Sequence, residues 1–274
     1  MARNAHVLRR QSAPRRRGPR PPGIFAAVCG ALVGLLVALL LFAPARWLTG
    51  GIASASGGHV LLDAPRGTVW DGSAQLVLAG GSGSTDAAAL PDRIVWRLRP
   101  QWAGLRLQLQ SACCTPQPVT VAVGAGWNGL RLAVANGESA WPAALLSGLG
   151  TPFNTLRPEG TLSLRTTDLV LQFAGGRMAM AGRADIDIQN MASSVSQLRP
   201  LGSYRLSVRG GDVPTLDLST LDGPLRLSGT GSLVGNRLRF SGEATALPER
   251  EAALSVLLNL LGRRVGARSV ITLG

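Results

Sequence analysis

The sequence lacks lysine altogether, and it has only two histidines, His6 and His59. His6 lies in the N-terminal tail, and His59 lies at the very start of the strand-patterned part of the chain. That part therefore has no internal histidine, the side chain that most often acts as a general base near neutral pH. It also lacks the GxSxG, phosphate-loop and HExxH motifs. The sequence predicts a protein that is not an enzyme, with no catalytic residues and no cofactor.

Cysteine is scarce, and its three positions have no metal-binding spacing. Cys29 lies in an apolar stretch, whereas Cys113 and Cys114 are adjacent. In an oxidising compartment this pair could form a vicinal disulfide or a link to a partner, and otherwise it would remain as reduced thiols in a loop. Asp185 and Asp187 share one strand face and could contact a cation, but a solvated polar face is the favoured interpretation. No metal site is predicted.

Acidic residues are absent before Asp63, and positive charge is concentrated at the N-terminus. The formal net charge of the chain is +13. The first twenty residues contain seven arginines, at positions 3, 9, 10, 15, 16, 17 and 20. The remainder has 21 arginines against 15 acids and no concentrated basic stripe with interleaved aromatics. This distribution argues against nucleic-acid binding and is typical of a topogenic signal.

Twenty uncharged residues, 24–43, follow the basic tail. A helix of that length is about 30 Å long, which matches the hydrocarbon core of a bilayer. The arginine excess before it places the N-terminus in the cytoplasm and the later domain outside. We therefore predict a cytoplasmic tail over 1–23, a transmembrane helix over 24–43, a linker over 44–58 and a β-rich domain over 59–274. A cleaved signal peptide is the alternative, although its apolar region normally spans only about 7–15 residues.

Small residues line one face of the predicted transmembrane helix. Ala26, Gly30, Gly34 and Ala38 recur every four residues. Such spacing lets two helix backbones approach closely, which predicts a helix-packing face inside the membrane. The competing interpretation is that glycine is simply frequent in membrane helices.

Alternation of apolar and polar residues dominates the chain after residue 59, as in Leu105, Leu107 and Leu109. This period of two is typical of half-buried strands, and glycine-rich pairs mark hairpin turns between them. The predicted fold is mainly β: an antiparallel meander, as a curved sheet or a sandwich, with a short helix near residues 141–148 and an amphipathic helix over 247–264. Trp96 and Trp102 are candidates for a partner surface, although core burial is the favoured interpretation for Trp96.

Three motifs carry a resemblance to a known family: GTVWDG (67–72), VWRLRP (95–100) and LLNLLGRRVGARSVITLG (257–274). With the basic tail and the single apolar stretch, the chain resembles protein N of the bacterial type II secretion system. The resemblance covers nearly the whole chain in the order of its elements. It implies a bitopic inner-membrane protein of a Gram-negative bacterium with a periplasmic domain. It also implies association with the platform proteins L and M, and a part in exporting folded proteins across the outer membrane.

Two classes of function remain open from the sequence. One is a structural subunit that binds other secretion proteins. The other is a lipid-binding or lipid-transfer protein of the AsmA-like type, in which a one-sided meander bends into an apolar trough for acyl chains. The two differ in the fate of the apolar face, which a packed sandwich closes and a trough leaves open.

The arginine asymmetry generates a testable topology. We expect a reporter that is active only in the cytoplasm to be inactive when it is fused after Gly274, because the predicted orientation exports the C-terminus. The same reporter fused before residue 24 is the positive control. Activity of the Gly274 fusion at the level of that control would overturn the orientation.

Overall fold

The computed structural model describes residues 23–126, 129–234 and 237–274. The arginine-rich tail, Trp127 and the predicted turn at 235–236 lie outside this range. The chain divides into two compact units, residues 1–42 and residues 43–274.

The described part of the first unit is an apolar helix, α1, over Ile24–Leu41. It is 18 residues long and ends two residues before the predicted boundary at 43. The reason lies in the next residues: Phe42 caps the helix, and Ala43 precedes Pro44, a position from which helical backbone is disfavoured. In the described ranges, no helix is both long enough and apolar enough to cross a membrane. The transmembrane assignment of 24–43 stays a prediction from the sequence.

The second unit begins with a helix where the sequence predicted a linker over 44–58. This helix, α2, spans Ala45–Ala55. Its alanine, glycine and serine content suggested a loop, but Ala45, Leu48 and Thr49 fall on one side at helical spacing and pack against the sheet. The gain from burying this side outweighs the weak helix propensity of the glycines.

All described strands belong to one antiparallel sheet, which confirms the predicted mainly β meander. In chain order the strands are Val60–Gly67 (β1), Asp71–Ala79 (β2), Ala87–Gln101 (β3), Gly104–Gln110 (β4), Val119–Gly126 (β5), Gly129–Val134 (β6), Gly137–Pro142 (β7), Glu159–Ala174 (β8), Arg177–Ala192 (β9), Gly202–Gly211 (β10), Thr215–Asp222 (β11), Leu225–Val234 (β12), Arg237–Ala246 (β13), Arg263–Val265 (β14) and Arg268–Leu273 (β15). Neighbours in the sheet are neighbours in the chain, with two exceptions. β6 and β7 both pair with β8, and β15 lies between β13 and β14.

Apolar side chains form rows that cross the sheet on one face. One row runs through Leu105, Val123, Leu132, Leu171 and Met180, which are paired from strand to strand. The period-two alternation of the sequence is therefore kept in register across five successive strands, and the opposite face carries mainly small and polar residues.

A β-bulge in the long strand β8 keeps its apolar residues on one face of the sheet. Leu164 and Leu169 are five residues apart, so a regular strand would place them on opposite faces. The register shifts by one residue between Thr167 and Val170, and Asp168 adopts a φ of 48° there. Gly182 lies opposite with a φ of 80°, and a Cβ on it would lie only 2.1 Å from the Asp168 carbonyl oxygen. The bulge therefore requires glycine at that position.

Short helices cover parts of the apolar face. A 3₁₀ helix over Ala143–Leu149 and the short α3, Phe153–Leu156, follow β7, so the helix predicted near 141–148 begins only after Pro142. The predicted C-terminal helix is shorter than 247–264: a 3₁₀ turn over 248–250 leads into α4, Glu251–Leu261, and β14 follows. Arg263 and Arg264 belong to that strand because Gly262 breaks the helix with extended backbone.

The core is built where these helices meet the sheet. The largest cluster joins Leu254, Leu257 and Leu258 of α4 to Leu201 and Tyr204. A second packs Leu145 of the 3₁₀ helix on β3, and a third surrounds Trp96 beneath α2.

The sheet is curved. β8 and β12 are four strands apart in the sheet, which corresponds to about 19 Å if it were flat. Nevertheless Phe173 of β8 and Leu233 of β12 line the same depression. Between the helical covers, apolar residues such as Leu105, Val123 and Leu132 remain only half-buried.

Candidate functional site

The residue types that most often serve catalysis or metal binding have structural partners in this protein. His59 lies at the start of the domain, with its Nδ1 atom 3.1 Å from the Ala79 carbonyl oxygen. Within the described ranges, no group of three or more histidine, cysteine and acidic residues is placed to hold a metal ion.

Asp185 and Asp187 lie on the polar face of β9 and contact the neighbouring strand β10. Asp185 accepts hydrogen bonds from Ser207 Oγ at 2.5 Å and Arg183 Nε at 2.9 Å. Asp187 accepts two from Arg205, at 2.6 and 2.7 Å. The two carboxylates thus join β9 to β10 across the polar face.

Both carboxylates are stabilised in their charged form. Burial alone would raise the pKa of Asp185, but hydrogen bonds from Ser207 and Arg183 outweigh it, so the pKa lies below its usual value. The paired hydrogen bonds from Arg205 lower the pKa of Asp187 in the same way, against a smaller opposing effect of burial. These aspartates are therefore structural ion-pair residues of the sheet.

Cys113 and Cys114 form a vicinal disulfide in the structure, with the two Sγ atoms 2.06 Å apart. Cys113 is exposed, and Cys114 is buried in the cluster beneath the 3₁₀ helix. The loop is fixed to its surroundings because the Ala140 amide donates a hydrogen bond to the Cys114 carbonyl oxygen at 2.8 Å. This arrangement is compatible with an oxidising compartment, and the redox state in the cell stays a prediction.

The two tryptophan candidates lie in opposite environments. Trp96 is 2% exposed, and its Nε1 donates a hydrogen bond to the Val69 carbonyl oxygen at 3.1 Å. It is thus a core residue with a satisfied indole. Trp102 lies in the turn between β3 and β4 and is fully exposed. Only Trp102 is accessible to a partner.

The small-residue stripe lies along α1, as its spacing predicts. A Cβ built on Gly30 or Gly34 would meet no described atom within 4 Å. This face is therefore unoccupied by the described part of the chain, and its role in helix packing stays a prediction.

An exposed apolar stripe on α4 was not predicted from the sequence. Val256 and Leu260 are 60% and 54% exposed, on the side opposite the buried leucines, and Ala252 continues the stripe toward the N-terminus of the helix. The sequence does contain a signal for this second stripe, because its residues recur every four positions. They fall outside the stripe of Leu254, Leu257, Leu258 and Leu261. When a helix has apolar residues on two sides, one side packs into the core and the other side stays exposed for contact with a partner.

Taken together, the fold and these features define a class: a mainly β protein built on one long antiparallel sheet, with Trp102 and the α4 stripe exposed on its surface. The family model described as type II secretion system (T2SS), protein N, matches residues 59–271, and the chain belongs to this family. The match confirms the resemblance seen in the three sequence motifs. The family is a structural component of the secretion system and not an enzyme. No curated protein and no solved structure matches the chain in the corresponding comparisons.

The ion pair between Asp187 and Arg205 generates a prediction about stability. We expect Asp187→Asn to lower the free energy of unfolding at pH 7 by about 1–2 kcal/mol, because a charged hydrogen-bond pair is lost. The pKa of Asp187 is lowered in the folded state, so its contribution is fully present above the unfolded pKa of about 3.9 and is lost as pH falls further. Denaturant titration of the full chain in detergent, followed by tryptophan fluorescence, measures both effects.

Asp212→Asn is the control, because Asp212 lies exposed in the turn after β10. The difference in the free energy of unfolding between the Asp187 variant and the parent should become smaller below about pH 4. If that difference is the same at pH 7 and pH 3, or if Asp212→Asn produces the same difference, the ion pair does not stabilise the fold as predicted.

Proposed function

We propose that the chain is a non-enzymatic inner-membrane subunit of the type II secretion system that supports export of folded proteins through contacts with the platform proteins L and M. The family match over 59–271 is the observation that carries this proposal. In this proposal, residues 24–43 anchor the chain with the N-terminus in the cytoplasm and the sheet domain in the periplasm. The uncharged stretch and the arginine excess before it support that arrangement.

Tethering defines the mechanism. An anchored domain shares a membrane surface with other anchored subunits, so its effective concentration near them is high. Contacts that are individually weak then suffice for assembly. Such contacts need an exposed surface rather than a deep pocket.

Strand addition is disfavoured at both terminal edges of the sheet. In β1, Pro65 lacks an N–H group, and Ala64 has a φ of 44° at an irregularity in the pairing. The Ala64 carbonyl oxygen is already bonded to Arg93 Nη2 at 2.6 Å. At the other edge, β14 has only three residues, and two of them are arginines. Irregular backbone, proline, short length and charge all oppose edge-to-edge pairing.

The stripe of Ala252, Val256 and Leu260 on α4 is therefore the surface that we assign to a platform subunit. It lies on a regular helix whose other side is anchored by three buried leucines. Such a rigid apolar stripe suits packing against an apolar surface of a protein partner. Burying each of the two larger side chains contributes about 1.5–3 kcal/mol.

Substitution of this stripe tests the proposal. We expect the double change Val256→Glu and Leu260→Glu to reduce co-purification with L and M at least tenfold and to lower secretion. The double change adds charge and removes apolar area at the contact. Asn259→Glu is the control, since it adds a carboxylate to an exposed position of the same helix without removing an apolar group. Unchanged co-purification of the double variant would refute the assignment of α4.

One observation favours the second candidate function, binding of lipid in an apolar trough. The single curved sheet leaves part of its apolar face half-buried, and β4, β5 and β6 contact mainly their neighbours in the sheet. Val123 and Leu132 are paired across β5 and β6 in this open region. An open apolar face of this kind is what an acyl chain requires, whereas a closed sandwich would exclude it.

Lipid extraction tests the second candidate. If the trough binds acyl chains, the purified protein should retain phospholipid through exchange into a non-lipid detergent, and Val123→Glu should reduce that amount several-fold. Ala122→Glu is the matched control, because Ala122 lies on the same strand and faces the other side of the sheet. An amount of retained phospholipid no higher than that in a detergent blank would rule this function out.

A further inference from the structure

One edge of the sheet collects the paired ends of six hairpins. The hairpins are β1–β2, β3–β4, β5–β6, β8–β9, β10–β11 and β12–β13. They share an edge because β6 and β7 lie end to end along β8, which preserves the alternation of strand direction. We call this edge the hairpin rim and define it by its described residues, 65–73, 99–106, 124–126, 129–131, 172–179, 209–217, 232–234 and 237–239.

Large apolar side chains are exposed along the hairpin rim. They are Trp102, Leu130, Phe173, Val213, Val234 and Leu238, and each is at least 38% exposed. Leu130 and Phe173 are directly paired between β6 and β8, so some of them adjoin. Hairpin turns favour small and polar residues, so this apolar content is not a requirement of the turns themselves.

Arginines accompany these apolar residues. The hairpin rim has eight arginines, Arg66, Arg99, Arg106, Arg131, Arg177, Arg209, Arg237 and Arg239, against three acids, Asp71, Asp212 and Asp217. One of the acids, Asp71, is neutralised by Arg99 at 2.7 Å. The rim is therefore strongly cationic.

The chain enters the domain at the same edge. The Ala43 carbonyl oxygen accepts a hydrogen bond from the Val69 amide at 2.9 Å, and Pro44 forms a bridge with Thr68. Thr68 and Val69 form the first turn of the hairpin rim. In sequence, residue 43 is the last of the uncharged stretch, and the exposed residues Arg46 and Trp47 follow it closely.

We propose that the hairpin rim lies on an anionic lipid surface, with its apolar tips at headgroup depth and its arginines on lipid phosphates. This inference rests on the proposed membrane location and adds the orientation of the domain and the chemistry of its contact. Aromatic side chains at the headgroup level, beside cations, are the usual composition of a protein surface at the bilayer interface.

Lipid fits this rim better than a protein partner does. The core of a protein interface is depleted of charge and contiguous, whereas arginines are interspersed among the apolar tips here, as Arg237 and Arg239 are on either side of Leu238. The rim also follows twelve strands from β1 to β13, a contour of about 53 Å. A surface so long, with mixed apolar and cationic groups, matches a fluid lipid surface that can adapt to it.

Hydrogen exchange of the full chain in nanodiscs tests the proposal. With nanodiscs containing phosphatidylglycerol, we expect amides in 101–104, 174–177 and 211–215 to exchange at least fivefold more slowly than with phosphatidylcholine alone. The triple change Arg177→Glu, Arg237→Glu and Arg239→Glu should abolish that difference. The double change Arg250→Glu and Arg268→Glu, away from the rim, should preserve it, and exchange in β8 and β9 verifies that each variant is folded.

A second measurement uses Trp102 directly. Lipids brominated near the headgroup should quench the fluorescence of the full chain more than that of Trp102→Phe, and Leu221→Glu at the opposite edge should leave this difference unchanged. Equal exchange on both lipid compositions, or no quenching attributable to Trp102, would overturn the proposal. Slowed exchange that requires added platform proteins would also overturn it, since the rim would then bind protein. Co-purification with L and M is measured separately, so failure here is distinguishable from failure of the proposed function.

Discussion

The structure depends on keeping apolar side chains on one face of a single continuous sheet. Every helix of the domain packs against that face, and the opposite face is joined by ion pairs such as Asp187 with Arg205. A slip of one residue would turn an entire strand over. The bulge at Asp168 prevents this error within β8, because without it Leu169, Leu171 and Phe173 would face the polar side. Gly182 is the residue that makes the bulge sterically allowed.

Much of this fold could be predicted because it is local. Alternation along each segment identifies a strand, and paired glycines identify a turn, so the meander follows from short stretches of sequence. The segment 44–58 was misassigned for the opposite reason. Its helix is stabilised by packing on Trp96 and Ala74, residues far along the chain, and composition alone indicated a loop. The helix at 251–261 was recognisable, but its ends depend on Gly262 and on the pairing of Arg263 with Val270.

The candidate surfaces were less predictable than the strands. Trp96 and Trp102 lie on either side of the same Leu-Arg-Pro segment, and only the position of the turn decides that one is buried and the other exposed. The hairpin rim requires knowledge of which turns share an edge, and this depends on β6 and β7 dividing the length of β8 between them. No local pattern contains that information. The family membership, in contrast, was visible in motifs of six to eighteen residues.

The order of the strands has a consequence for how the domain forms. Because nearly every strand pairs with the one that precedes it in the chain, each new strand finds its partner already present, and the loops to be closed are short. A domain whose strands become available in chain order can therefore build the sheet strand by strand. Two places depart from this order: β7 pairs with β8, which follows it in the chain, and β15 lies between β13 and β14. Assembly would then be complete when α4 covers Tyr204 and Leu201, since that step closes the largest core cluster.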